Sequence, residues 1–340
     1  MIRVRLKPWW ASCAHGVSSA LTTFFVIFEH EERGVQKVKF SRNLLLVFVA
    51  TAIDFPTVVN AEATASPPAA ITATPAVWVV KSPTATVYLM GSVHVLRPNV
   101  SWHTPQIARD IAESQELWLE VADPEDQSQT LALIRKYGVS TDGPLTKRLS
   151  PEDLAALDKA AQGISANASA AVFDPMRPWV VSLELVAVEL VHSVYDLKSG
   201  VDVTLRTEFK SAGKPVNGFE TVEEQIKVLA DVSPEEELTQ LHETLKDYDK
   251  SKEKIDELVD AWAKADLPAI ARSELDEMKS DSPALYNRLV TQRNVGMAKA
   301  IKARLDGKGV AFLAVGALHV VGPDSVQSQL ESLGVKVERQ

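Results

Sequence analysis

The 340-residue chain holds a single cysteine, Cys13. That excludes a disulfide framework and any thiolate metal site. Basic residues are not in surplus: 36 Lys and Arg stand against 45 Asp and Glu, a formal net charge of −9. This argues against nucleic acid as the main partner, since neutralising phosphates needs clustered Lys and Arg. The chain has no His-Glu-x-x-His, no Gly-x-Ser-x-Gly, no P-loop and no Gly-x-Gly-x-x-Gly. A standard zincin, α/β-hydrolase, nucleotide-binding enzyme or Rossmann dehydrogenase is disfavoured accordingly. Nor is there a tandem repeat.

What is present is ordinary globular material, 46% hydrophobic and 24% charged. Lys37, Lys39 and Arg42 precede the apolar run 44–50, and small-x-small cleavage sites follow at 59–61 and 61–63. This is the pattern of a secretory signal peptide. The run is too short to span a bilayer, which needs ~20 apolar residues. Residues 1–61 are read as a leader, with the true translation start expected near Val35; the alternative is that the earlier apolar stretch 17–28 is a real N-terminal anchor helix. Cleavage after Ala61 leaves 29 basic and 41 acidic residues. The mature protein is therefore expected to be acidic, exported and periplasmic, without a stable membrane span. Residues 62–75, rich in Ala, Thr, Ser and Pro, read as a disordered linker.

Beyond the linker, strands alternate with helices. Strands are expected at 76–80, 86–90, 116–121, 215–219, 310–315 and 336–338. Helices are expected at 104–115, from Ser150-Pro151 onward, and at 178–194, 201–212, 221–231, 283–305 and 324–333. Between about 234 and 280 the chain is charged and strongly helical. Leu238, Leu241, Leu245 and Tyr248 fall on one face, as do Ile255, Leu258, Val259 and Trp262. The expected fold is one α/β domain over 76–340: a central mixed β-sheet flanked by helices, with an all-helical insertion or cap.

Two strands carry the same ending. Val87–Met90 runs into Gly91-Ser92-Val93-His94, and Val310–Val315 runs into Gly316-Ala317-Leu318-His319. Ligands in open α/β sheets bind beyond the carboxyl ends of strands. Two histidines so placed are expected to meet at one site and, with a carboxylate, to bind a divalent metal. Glu120, at the end of its own strand, is the best carboxylate; an exposed edge glutamate is the plainer reading. Glu220 and Asp202 stand at helix starts, where an acid is also favoured by the helix dipole. Arg293 could bind a carboxylate or oxyanion by its fork, or be plain surface. Glu189-x-x-His192 imitates a di-iron helix motif but lacks a partner helix.

At these residues the chain resembles the TraB/PrgY/GumN family, over roughly 77–337. The resemblance rests on Gly91-Ser92-Val93-His94, Glu120, Gly200-Val201-Asp202, and Gly218-Phe219-Glu220-Thr221 with Glu224-Gln225. It continues through Arg293-Asn294 with Met297 and Gly316-Ala317-Leu318-His319 with Gly322. It implies a fold shared with Tiki-type Wnt-inactivating proteases and, more distantly, with erythromycin esterases and haem-binding ChaN proteins. Tiki proteins are manganese- or cobalt-dependent proteases that use paired Gly-x-x-His motifs with a glutamate and an arginine. Carried over, these roles fall on His94, His319, Glu120 and Arg293. Tiki proteins are membrane-anchored, which this chain is not expected to be.

The expected function is an exported metal-dependent hydrolase, a peptidase in the first reading, acting on a peptide or small-molecule substrate. His94, Glu120 and His319 would bind manganese, cobalt or zinc, and the metal would activate water. Glu120 or Glu220 would be the general base and Arg293 the oxyanion binder, with Asp202 and Asn294 as further site candidates. The alternatives are a non-enzymatic periplasmic protein binding a peptide, haem or metal, and an accessory of polysaccharide or pheromone export.

Overall fold

The computed structural model describes residues 70–123, 127–191 and 193–340. The leader, most of the linker and His192 lie outside the described residues. The elements are β1 (Ile71–Thr72), β2 (Val77–Lys81), β3 (Ala85–Ser92), β4 (Val100–Ser101), α1 (Pro105–Glu113), β5 (Glu116–Val121), α2 (Gln127–Gly138), α3 (Pro151–Ile164), α4 (Pro178–Val191) and α5 (Val201–Ser211). Then come β6 (Val216–Glu220), α6 (Val222–Ala230), α7 (Pro234–Asp247), α8 (Ser251–Ala263), α9 (Leu267–Ile270), α10 (Asp276–Asp281), α11 (Pro283–Tyr286), α12 (Arg293–Leu305), β7 (Gly309–Gly316), α13 (Val326–Ser332) and β8 (Val337–Arg339). Among the described residues, no helix is long and apolar enough to cross a membrane.

The fold is α/β. Its six-stranded mixed sheet has the order β6-β5-β7-β3-β2-β8. β3, β7, β5 and β6 are mutually parallel, and β2 pairs antiparallel with β3 and β8. The chain lays down β3, places β5 and β6 further along, and returns with β7 to fill the slot between β3 and β5. Four strand ends consequently point to one side. β3 and β7 pair along their whole length, with Gly91 opposite Val315 and Ser92 opposite Gly316.

Both faces of this sheet are buried, which is why its central strands read as continuous apolar runs. Val79, Tyr88, Met90, Leu117, Leu119, Phe312 and Ala314 face one core, which also takes Leu205, Ile226 and Trp262 from α5, α6 and α8. The alternate residues Trp78, Val80, Val87, Leu89, Leu313 and Val315 face a second core with α12 and α13. A third core joins α3, α4 and α7 through Leu157, Val181, Leu185, Leu241 and Leu245.

The helix starts follow their sequence signals. Thr104 caps α1 and Ser150 caps α3, each ahead of a proline at the first turn, and Thr221 and Ser233 form capping boxes with Glu224 and Glu236. Three features differ from expectation. The helix expected over 283–305 is interrupted by a π-helical stretch, Asn287–Gln292, immediately before Arg293. Helix α2 was not anticipated. The end of the expected linker is tied down: Ile71 and Thr72 pair in parallel with Val100 and Ser101, and the Thr74 amide donates to the Ala263 carbonyl.

Candidate functional site

The ends of β3, β7, β5 and β6 bring His94, His319, Glu120 and Glu220 to one edge of the sheet. Gly91 makes room for the second motif, and Gly316 makes room for the Glu120 carboxylate. A Cβ on Gly91 would lie 2.6 Å from Val320 Cγ2 and 3.2 Å from Ala317 Cα, in the short 3-10 turn that carries His319. A Cβ on Gly316 would lie 2.9 Å from Glu120 Oε1, 3.6 Å from His319 Cδ2 and 4.0 Å from His94 Nε2. Both imidazoles and the Glu120 carboxylate thus converge on the end of β7, as the doubled motif predicts.

His94 is held from behind. Its Nδ1–H donates to Asp202 Oδ2 at 2.7 Å, and Ser92 Oγ donates to Asp202 Oδ1 at 2.7 Å. Gly200 permits this arrangement, because a Cβ there would stand 2.2 Å from the His94 carbonyl oxygen. Val201 N–H donates to the Val93 carbonyl at 3.0 Å, so the start of α5 is seated directly on the His94 loop. Asp202 is therefore more than a helix-terminal acid. The His94 side chain is 38% exposed, and its Nε2 has no partner among the described residues. Burial works to lower its pKa, but the charge and hydrogen bond of Asp202, with Glu120, overcome this and push it up to about 9.

His319 differs in every respect. It is 4% exposed, and both ring nitrogens are engaged. Nδ1–H donates to Asn294 Oδ1 at 2.6 Å, and Nε2 accepts from Arg293 Nη1 at 3.0 Å. Asn294, wholly buried, donates in turn to the Asp324 carbonyl at 2.7 Å. Burial, together with the Arg293 and His94 charges, brings the His319 pKa down to about 4, so the ring is neutral at physiological pH.

Arg293 is the hub of the cluster. Nε donates to Glu220 Oε2, Nη2 to Glu220 Oε1 and to Glu120 Oε2 (2.6 Å), and Nη1 to the Leu289 carbonyl and to His319 Nε2. All five N–H groups of the guanidinium are thereby used within the protein. Glu120 Oε1 accepts from the Gly316 amide at 2.7 Å, and Gln225 Nε2 adds a bond to Oε2 at 3.2 Å. Burial alone would raise the Glu120 pKa, but the charge of Arg293 above all, with the neighbouring His319 and His94 rings and the Gly316 amide, holds it well below the carboxylate range. Burial pushes Glu220 up, and Arg293 only partly offsets this.

This geometry revises two expected roles. Arg293 has no N–H left to offer an oxyanion. Glu120, ionised and with both oxygens engaged, is a weak base. Of the expected metal ligands, Glu120 and His319 are likewise engaged within the protein. Glu120 Oε1 and His319 Nε2 are 3.6 Å apart, and each histidine has an Nδ1 partner of the kind that orients a ligating imidazole. But Arg293 already occupies His319 Nε2 and Glu120 Oε2. No group of three or more His, Cys, Asp or Glu among the described residues could hold a metal ion. As folded, the donor set does not fit a resident metal.

Three site contacts escaped sequence reasoning. Ser92 lies inside the first motif, yet nothing in its spacing points to Asp202. Gln225 enters the family resemblance beside Glu224, but nothing in its spacing aims its side chain at Glu120. Trp262, expected on an apolar helix face, donates its buried indole N–H to the Gly91 carbonyl at 2.7 Å, bolting α8 to the first motif.

Set against family models, residues 76–339 match the TraB/PrgY/gumN family. The chain belongs to that family. It is 24% identical over 243 residues to the uncharacterized protein YbaP of Escherichia coli (strain K12), covering 72% of this chain and 87% of that protein. YbaP of Shigella flexneri matches with the same identity and coverage. The family match spans all the residues of the cluster, from Ser92 and His94 to His319.

Proposed function

We propose that this TraB-family protein is an exported hydrolase in which His94, backed by Asp202, is the acid–base group. One observation carries the reading. In a cluster where Arg293, Glu120 and His319 are bonded to one another, His94 Nε2 alone remains uncommitted, at the half-exposed end of a His–Asp pair.

The chemistry follows from these atoms. Neutral His94 takes a proton from water through Nε2 as the water oxygen bonds to a substrate carbonyl carbon. Asp202 fixes the tautomer through Nδ1–H and stabilises the imidazolium that forms. The same proton then passes to the leaving nitrogen or oxygen as its bond to carbon breaks. The products are a carboxylic acid and an amine or alcohol, and His94 is neutral again. Arg293, Glu120, Glu220 and His319 form the rigid floor against which the second motif is set. No step passes through a metal. A peptide bond is the substrate linkage expected from the resemblance, and the signal-peptide pattern read within 1–61 supports a periplasmic reaction.

The test is cleavage of mixed peptide and ester libraries by residues 62–340, followed by mass spectrometry. His94→Ala should lower kcat/KM by about a hundred- to ten-thousandfold. With His94 titrating near 9, the rate should climb with pH, about tenfold per unit, and level off around that value. Cleavage that is indifferent to His94→Ala would overturn the assignment.

A further inference from the structure

The two Gly-x-x-His motifs and Glu120 compose a metal-ligand set in sequence, yet in the fold a side chain stands among them. Arg293 lies at the start of α12, directly after the π-helical stretch Asn287–Gln292, a kind of distortion frequent at functional sites. Its side chain is 8% exposed. Two carboxylates and an imidazole lone pair surround it: Glu220 by two bonds, Glu120 at 2.6 Å and His319 Nε2 at 3.0 Å. Two acids and a neutral histidine are what a divalent cation of the oxygen–nitrogen class takes as ligands. Here a fixed guanidinium takes them instead.

We propose that Arg293 is the resident cation of this site, and that Glu120, Glu220 and His319 bind a divalent metal only when its guanidinium is removed. Two features support this. First, all five Arg293 N–H groups are used inside the protein, four of them on these three side chains. Second, the preparation usual for a metal site is in place. Asn294 holds His319 Nδ1 at 2.6 Å and keeps Nε2 as the lone-pair nitrogen, while the Gly316 amide fixes Glu120 Oε1 3.6 Å from that nitrogen. Removing the guanidinium leaves two buried carboxylates without countercharge, an arrangement costly enough to draw in a cation.

The experiment reads metal directly and needs no turnover, so it stands apart from the hydrolase assignment. Wild type, Arg293→Met and Arg293→Met/Glu220→Gln are stripped with chelator and dialysed against cobalt, manganese or zinc. Bound metal is measured by elemental mass spectrometry, and cobalt coordination by visible absorption. The double variant removes one carboxylate together with the guanidinium and covers the case in which Arg293→Met alone does not fold. Wild type should retain no stoichiometric metal. A folded Arg293→Met variant should bind one equivalent at least about a hundredfold more tightly, and His319→Ala added to it should abolish that binding. One equivalent on wild type that His319→Ala removes would overturn the proposal. So would metal-free behaviour of every folded Arg293→Met form.

Discussion

His319 should contribute its own share to the loss of stability in acid. Its Nε2 accepts from Arg293, so protonation would set two donors face to face in a buried site. Its folded pKa, about 4, lies below the unfolded value of about 6.5. The unfolded chain therefore binds the proton first. The stability is fully present above pH 6.5 and is lost as pH falls toward 4. At 1.36 kcal/mol per pKa unit the whole effect approaches about 3 kcal/mol, and most of it is spent by pH 4.5. The assay is urea unfolding of wild type and His319→Gln at pH 7 and pH 4.5. The variant should be the less stable of the two at pH 7, because the Arg293 and Asn294 bonds are disturbed. It should then lose about 2.5 kcal/mol less than wild type on acidification. Equal acid sensitivity in the two proteins would refute the protonation argument, whatever their stabilities at neutral pH.

Two further changes probe the scaffold. Gly200→Ala would put a methyl 2.2 Å from the His94 carbonyl oxygen, a backbone atom that cannot swing aside; a loss of about 1–3 kcal/mol in urea unfolding is expected. Wild-type stability in that variant would show that α5 is not seated on the His94 loop. Trp262→Phe keeps most of the ring volume but strands the Gly91 carbonyl, at a cost of about 1–3 kcal/mol by thermal or urea unfolding. A loss no larger than that of a matched Trp→Phe change outside a hydrogen bond would remove α8 from the positioning of the first motif.

How far the residues foretold the site can be judged side chain by side chain. His94, His319 and Glu120 were legible because each closes an apolar run, Glu220 because it ends a short strand before a helix, and parallel strands send their carboxyl ends to one edge. What could not be read was who bonds to whom. Asp202 looked like a helix-terminal acid. Only the close approach allowed by Gly200 turns it onto His94. Arg293 looked available on a continuous helix, whereas the π-helical stretch before it belongs to a cluster that uses its whole fork. The strands β1 and β4 were missed because two-residue strands carry no pattern at all. The amphipathic faces at 234–280 were plain, since Leu241 and Leu245 of α7 and Val259 and Trp262 of α8 all point into cores. The seat of α8 on the Gly91 carbonyl was not.

The most direct test of the His94–Asp202 assignment is the imidazole titration of His94 by NMR in wild type and Asp202→Asn, with the pH dependence of turnover on the cleaved substrate recorded alongside. In wild type the ring should titrate near 9. Without the Asp202 charge, burial should take it below about 7, and the rate profile should move down in pH by the same interval while its plateau falls. A rate profile that stays in place while the His94 titration moves would contradict the assignment of His94 as the acid–base group.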